Sequence, residues 1–383
     1  MNATAPNPIR SITDTPAPAL PKLGYFEQAA PVRLILGSFF FLTLPIAATV
    51  IFLPHVEALS WLYFWLLGGT HIVITLTIYA SRVNRQYFVK TPRNAAIFIA
   101  APLLILAGFA AVFGLKIADS WPGIAALFWS GVRFLNFLHL NRQTFGVLQL
   151  FKARSKGKFP AWAKQCENGT GLALVAALMV THASGGLCPL VLGTFAPLDP
   201  PALASEVLIP LWSACVLAAL GLFGASVFAI VQARPANGTK EVVLYFAFQF
   251  LGTIAATVFL PLYLAALAMH YVEYHILMIP RIQAQKLDES HRIDRTYGWL
   301  RARPIAFIGA ILFLALLVTT GMNSMEFAVP KTPGGTAWTF LLTAFDALIV
   351  VHYFLEMFIW KFSDPHFRNS LNGVYFAPKA TIT

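Results

Sequence analysis

Apolar runs of about twenty residues recur from Leu34 to Trp360, the length an α-helix needs to cross a bilayer. In hydrocarbon a backbone can pair all its polar groups only in a helix or a closed barrel, and runs of this length select the helix. The expected class is therefore all-α, a polytopic integral membrane helical bundle of about 9–10 transmembrane helices. Composition agrees, with 58% of the 383 residues hydrophobic and only 11% charged. Ten spans are read, at roughly 34–53, 58–80, 95–115, 121–141, 171–192, 206–231, 242–260, 262–280, 304–322 and 336–360.

The stretch 242–280 is long for one helix and short for two, with Pro261 in its middle. Loop charge arbitrates. If Pro261 separates two crossings, the basic segments 81–94, 142–164, 232–240, 281–303 and 361–383 fall on one side, and the opposite loops hold only Lys116 and Lys331. This puts both termini in the cytoplasm, and a bacterial inner membrane is the expected location. It also accounts for the net charge of +11 without nucleic acid. Residues 1–32 are rich in Pro and Ala, with no apolar core before Leu34, so they read as a mobile cytoplasmic tail rather than a cleaved signal peptide. Residues 33–361 form the transmembrane domain and 362–383 a cytoplasmic C-terminal tail. Cys166, Cys188 and Cys215 have no CxxC spacing, which points to neither a disulfide frame nor a thiolate metal site.

Ionisable residues inside such spans are costly and mark function. His71, His139, His270, His275 and His352 all lie in apolar runs. His71 is 11 residues before Arg82, His270 is 11 before Arg281, and His352 is 9 before Lys361. At 1.5 Å per residue these three imidazoles share a depth of about 14–17 Å inside the cytoplasmic boundary. His139 joins that layer if its helix continues to Lys152. Imidazole is the commonest neutral metal ligand, and a site of histidines alone can hold iron, copper or zinc.

Polar neighbours extend the pattern. Glu273 follows His270 by three residues and Glu356 follows His352 by four, so each carboxylate shares a helix face with its histidine. From there it can fix the ring tautomer or coordinate. Arg133, Asn136, His139 and Gln143 form one polar stripe on an apolar cylinder. His270 and His275 are about 140° apart around their helix and do not share a face. Tyr271 falls on the face of His275, and Tyr274 on that of His270. The candidate catalytic side chains are Glu273, Glu356 and Tyr271, with His270 ranked above His275 as a ligand.

The order of these histidines, one early, one central, a close pair, and a last one in a His-x-x-x-acid pattern, resembles the Brp/Blh family of β-carotene 15,15'-dioxygenases. Matching positions are His71, His139, the His270/His275 pair, and His352 with Glu356 where the family has Asp. The resemblance runs from Leu66 to Trp360. It departs at "GTHIVIT", which lacks the acid of the family's Pro-His-Gly motif, and at the i, i+5 spacing of the pair, which is i, i+4 in the family. It implies a membrane non-haem iron (Fe2+) oxygenase or dioxygenase that uses O2 to oxidise or cleave a long apolar unsaturated substrate, a carotenoid, polyene or unsaturated acyl chain. The electron donor, if one is used, is left open. HxxxH and HxxHH boxes, which membrane di-iron desaturases require, are absent. Two alternatives use the same buried His and Glu residues, namely a haem-binding protein and a proton-relay or transport protein.

Overall fold

The computed structural model describes residues 24–53, 62–114, 121–190, 205–233, 238–326, 336–360 and 364–376. Among these residues every regular element is helical, and extended pairing is limited to one bridge, Leu187 with Phe259. The helices are α1 (Ala29–Phe52), α2 (Phe64–Ala80), α3 (Arg82–Val89), α4 (Pro92–Val112), α5 (Pro122–Ser155) and α6 (Ala161–Ala183). They continue with α7 (Ser205–Gln232), α8 (Thr239–Val258), α9 (Tyr263–Gln283) and α10 (Arg292–Arg301). The last three are α11 (Pro304–Glu326), α12 (Thr336–Ile359) and α13 (Pro365–Tyr375).

The chain is an integral membrane protein. Among the described residues, Ala29–Phe52, Pro92–Val112, Glu206–Gln232, Thr239–Val258 and Leu260–Gln283 are each long and apolar enough to cross a bilayer. Two bent pairs, α2 with α3 at 78° and α10 with α11 at 108°, raise the number to seven if each is one span. The sequence spans at 121–141, 171–192 and 336–360 fall on α5, α6 and α12, outside that set. For α5 the reason is plain, because Arg133, Asn136, His139, Asn141, Arg142 and Gln143 lower its hydropathy. Burial is inverted relative to a soluble protein. Large apolar side chains such as Leu104, Leu127, Leu217 and Phe313 point outward, while Thr75, Gln143, Gln249, Glu273 and Glu356 are buried.

Pro261 does mark a break. α8 ends at Val258, Phe259 is extended, a 3₁₀ turn covers Leu260–Leu262, and α9 follows. The two helices meet across it, since a Cβ on Gly252 would lie 3.5 Å from the Ala266 backbone. α8 and α9 are thus an antiparallel hairpin. Its turn is tied to the end of α6 by Cys188 N–H to Val258 O and Leu260 N–H to Gly186 O, both 2.8 Å.

Described residues before the tail boundary at residue 32 pack on the bundle. Phe26 is fully buried edge-on to Phe151, and α1 starts at Ala29. Residues 1–23 and His55 lie outside the described residues. Within the C-terminal segment, α13 buries Phe367, Leu371 and Tyr375, the last stacked on Trp360.

The polar end of the bundle is organised by Asp294, whose carboxylate is fully buried. It accepts from the backbone N–H of Arg82 (2.9 and 3.0 Å) and of Asp288 (2.9 Å), and from the Arg85 guanidinium (2.9 Å). A carboxylate at the first N–H of α3 also complements the helix dipole. Burial pushes the Asp294 carboxyl up, but these donors outweigh it and hold it below the usual carboxylate range. A depressed folded pKa means that the stabilisation is present above the unfolded value of about 4 and is lost as pH falls through the folded one. Asp294→Asn is expected to lower stability at pH 7 by about 1–3 kcal/mol, and to shrink the difference between pH 7 and pH 3. Thermal unfolding in detergent at both pH values checks this, and an unchanged transition at pH 7 refutes it.

Candidate metal centre

α2, α5, α9 and α12 bring His71, His139, His270 and His352 together in the bundle interior, none more than 3% exposed. The His71 ring centroid lies 4.4 Å from that of His352, 4.8 Å from His270 and 6.0 Å from His139. His139 is 4.9 Å from both His270 and His352. Its placement follows from the continuity of α5, which runs without a break past Arg142 to Ser155. α2 reaches the site through a π-helical turn, Phe64–Gly69, that ends two residues before His71. Gly69 is needed there, since a Cβ would come within 2.8 Å of the Ala315 carbonyl oxygen on α11.

His71, His139, His352 and Glu356 each present a ligand atom within 4.8 Å of the others. Nitrogen and oxygen ligands bind an ion such as zinc at about 2.0–2.2 Å, so two of them on one ion stand at most about 4.4 Å apart. Small side-chain rotations close this set on a cation. His270 adjoins it, with its Nε2 3.2 Å from His139 Nε2. The chemistry of the donors fits a metal. Both ring nitrogens of His71, Nδ1 of His270, Nε2 of His352 and Oε2 of Glu356 are buried without a hydrogen-bond partner. Each such atom costs about 1–3 kcal/mol, and a cation among them satisfies the lone pairs.

Thr75, one turn after His71, fixes the geometry. Its hydroxyl reaches Glu356 Oε1 (2.9 Å), the His71 carbonyl (3.2 Å), His352 Nδ1 (2.8 Å) and the Tyr274 hydroxyl. A hydroxyl carries one hydrogen and two lone pairs. With Glu356 ionised, as a metal ligand would be, the carboxylate and the carbonyl only accept, so the Thr75 hydrogen goes to one of them. His352 Nδ1 and the Tyr274 hydroxyl must then donate to Thr75. His352 is therefore the Nδ1–H tautomer, with the lone pair of Nε2 facing the other ligands. Glu356 is held through Oε1, which leaves Oε2 toward His139 Nε2 at 3.6 Å.

The polar stripe of α5 faces α9. Asn136 accepts from the Tyr263 hydroxyl (3.1 Å), His139 meets His270, and the Gln143 amide donates to the His270 carbonyl (3.0 Å). Glu273 is placed elsewhere. Its carboxylate accepts from the Tyr245 hydroxyl (3.2 Å) and the Gln249 amide, both on α8, and it makes no hydrogen bond to His270, whose Nδ1 is unpartnered. Three residues turn a helix by 300°, and the hairpin aims that face at α8. His275 is engaged through both nitrogens, Nε2 with Thr70 Oγ1 (2.8 Å) and Nδ1 with the Tyr271 carbonyl (2.6 Å), outside the group of four. Tyr271 is buried with its ring 5.2 Å from His71. Sequence reasoning missed the roles of Thr75, Tyr245 and Gln249. The one available signal was that Gln249 stands as far before Pro261 as Glu273 stands after it, with Tyr245 one turn further from the break.

A cavity of about 590 Å³ opens beside this centre. The four histidines line one part of it, and Phe64, Phe109, Trp129, Phe137, Tyr263 and Tyr353 give it aromatic walls. Gly185, Gly186 and His182 at the end of α6 line it too, with Pro261 from the α8–α9 turn.

No family model, curated protein or solved structure matches this chain.

Thr75→Val keeps the shape but removes the hydroxyl, leaving His352 Nδ1–H and Glu356 Oε1 without their shared partner. Metal affinity is expected to fall about 10–100-fold, as for other groups that orient ligands. Chelator competition on purified protein measures it. Equal affinity in Thr75→Val would separate the hydroxyl from the centre.

Proposed function

We propose that this protein is a membrane-embedded non-haem iron oxygenase or dioxygenase that uses O2 to oxidise or cleave a long apolar unsaturated substrate, a carotenoid, another polyene or an unsaturated acyl chain. The observation that carries it is the cluster of ligand atoms on His71, His139, His352 and Glu356, those of His71, His352 and Glu356 including buried atoms without a partner, lining or adjoining an aromatic-walled cavity of about 590 Å³. The order of histidines that resembles the β-carotene dioxygenase family supports the choice of iron and O2 over copper or zinc. Bound there, iron would supply O2 activation.

The chain's own residues do the rest. His71, His139, His352 and Glu356 hold the ion, with His270 adjoining them, and Thr75 sets the tautomer of His352. The aromatic walls bind an unsaturated chain by area and by ring contacts, and they keep water from the reacting carbons. Tyr271, on the cavity wall beside His71, orients the chain. A haem is disfavoured by crowding, because His71 has two other imidazoles with centroids within 4.8 Å. A proton relay would leave the protein without stoichiometric metal, so metal content separates the two.

The protein is expected to purify with roughly one non-haem iron per chain, and to show O2 uptake that depends on an added polyene or unsaturated lipid. Ala at His71, His139 or His352 should remove most of the metal, because structural loss of one ligand leaves the others uncompensated. Metal analysis with an oxygen electrode on membranes tests both parts. Full metal occupancy in all three variants, or metal-free wild type, would end this proposal.

The lipid bilayer is the setting, in a bacterial inner membrane with both termini cytoplasmic. A cysteine at Ser290, in the loop between α9 and α10, should be shielded from an impermeant thiol reagent in intact cells. Labelling there would reverse the orientation.

A further inference from the structure

Tyr274 is fully buried next to the metal centre, yet it belongs neither to the ligand set nor to the cavity wall. Its ring centroid is 3.9 Å from that of His71, the closest ring to that histidine. Its hydroxyl donates to Thr75, whose own hydroxyl reaches Glu356 Oε1 at 2.9 Å. A phenol gives up an electron readily only when its proton leaves at the same time. Here the proton has a route, from Tyr274 to Thr75 Oγ1 while the Thr75 hydrogen passes to Glu356 Oε1.

The surroundings keep the resulting hole in place. The indole of Trp360 adjoins Tyr274, at 6.1 Å between ring centroids. Its Nε1–H has no hydrogen-bond partner, so it has nowhere to send a proton. The Arg281 guanidinium lies over its ring at 5.7 Å, which opposes a positive charge on the indole. Both features disfavour passage of the hole from Tyr274 to Trp360.

Taking the oxygenase reading above as its basis, we propose that Tyr274 is a redox-active residue that gives one electron and one proton to an oxidant formed at the centre when no substrate fills the cavity. For hydrogen peroxide as that oxidant, reduction to two waters takes two electrons and two protons. Tyr274 supplies one electron and, by way of Thr75 and Glu356, one proton, and becomes a neutral phenoxyl radical, while the second electron comes from ferrous iron, which becomes ferric, and the second proton from water, which leaves hydroxide. An external reductant such as ascorbate then restores the phenol. The role spares the ligand histidines from oxidation.

Iron-loaded protein treated with hydrogen peroxide in the absence of lipid substrate should give a tyrosyl radical signal by electron paramagnetic resonance, one that narrows when the protein carries ring-deuterated tyrosine. In Tyr274→Phe the signal should fall at least tenfold with iron content unchanged, whereas Tyr271→Phe should retain it. A full signal in Tyr274→Phe, or none from iron-loaded wild type, overturns the inference. If Tyr274→Phe does not fold, a fluorotyrosine incorporated at position 274 should add fluorine splitting to the signal, and an unsplit signal overturns it equally. Iron analysis and O2 uptake on the same samples keep the two proposals apart. Protein that holds iron and consumes O2 with a polyene but forms no radical loses the role of Tyr274 alone, and protein without iron loses the oxygenase reading beneath it.

Discussion

Polar atoms in the interior of a membrane bundle must be paired, and the hydroxyl of Thr75 does this for three of the helices that meet at the centre. It joins α2 to α12 through His352 and Glu356 and to α9 through Tyr274, all inside a layer where water cannot substitute. Because one hydroxyl hydrogen serves these partners, the protonation of each is fixed by the others. What is left over is a set of lone pairs pointing at one another. A soluble core would fill such a place with apolar side chains or with water, so the unpartnered histidine and glutamate atoms have a chemical meaning here that ordinary burial does not carry.

The helices that carry these groups are positioned by devices away from the site. The α8–α9 hairpin, fixed at Pro261 and tied to the end of α6, sets the height of His270 and turns Glu273 toward Tyr245 and Gln249. The π-helical turn of α2 and the close approach at Gly69 set the rotation of His71. On the polar side, Asp294 gathers α3, α10 and the loop between α9 and α10, which contain much of the basic charge. The first two devices trade a local irregularity for the placement of a histidine at the centre, as expected where function rather than stability decides local geometry.

How far the centre is legible in the sequence depends on which coordinate is asked for. Depth is one-dimensional and follows from the rise of 1.5 Å per residue, so counting from the basic loops puts His71, His270 and His352 in one layer, and those three rings do meet. The pairing of His352 with Glu356 is likewise local, a matter of four residues on one face. His139 joins the layer only if α5 continues past Arg142, and the helix does continue to Ser155, with Arg142 donating to Asn168 on α6 at 3.0 Å. Rotation about each helix axis was not legible. Glu273 shares a turn with His270 in sequence but faces α8, and His275 is held by Thr70 and its own backbone.

The sequence by itself determined the class, the break at Pro261, the common depth of the histidines and the local His352–Glu356 pair, because all of these follow from hydropathy, charge along the chain and helix period. Only the tertiary structure decided which side chains converge, that Thr75 sets the tautomer of His352, that Glu273 belongs to the α8–α9 contact, and that an aromatic cavity lies beside the centre. Those depend on the angular setting of one helix against another, which arises from side-chain packing between segments far apart in the chain and has no counterpart in any single span.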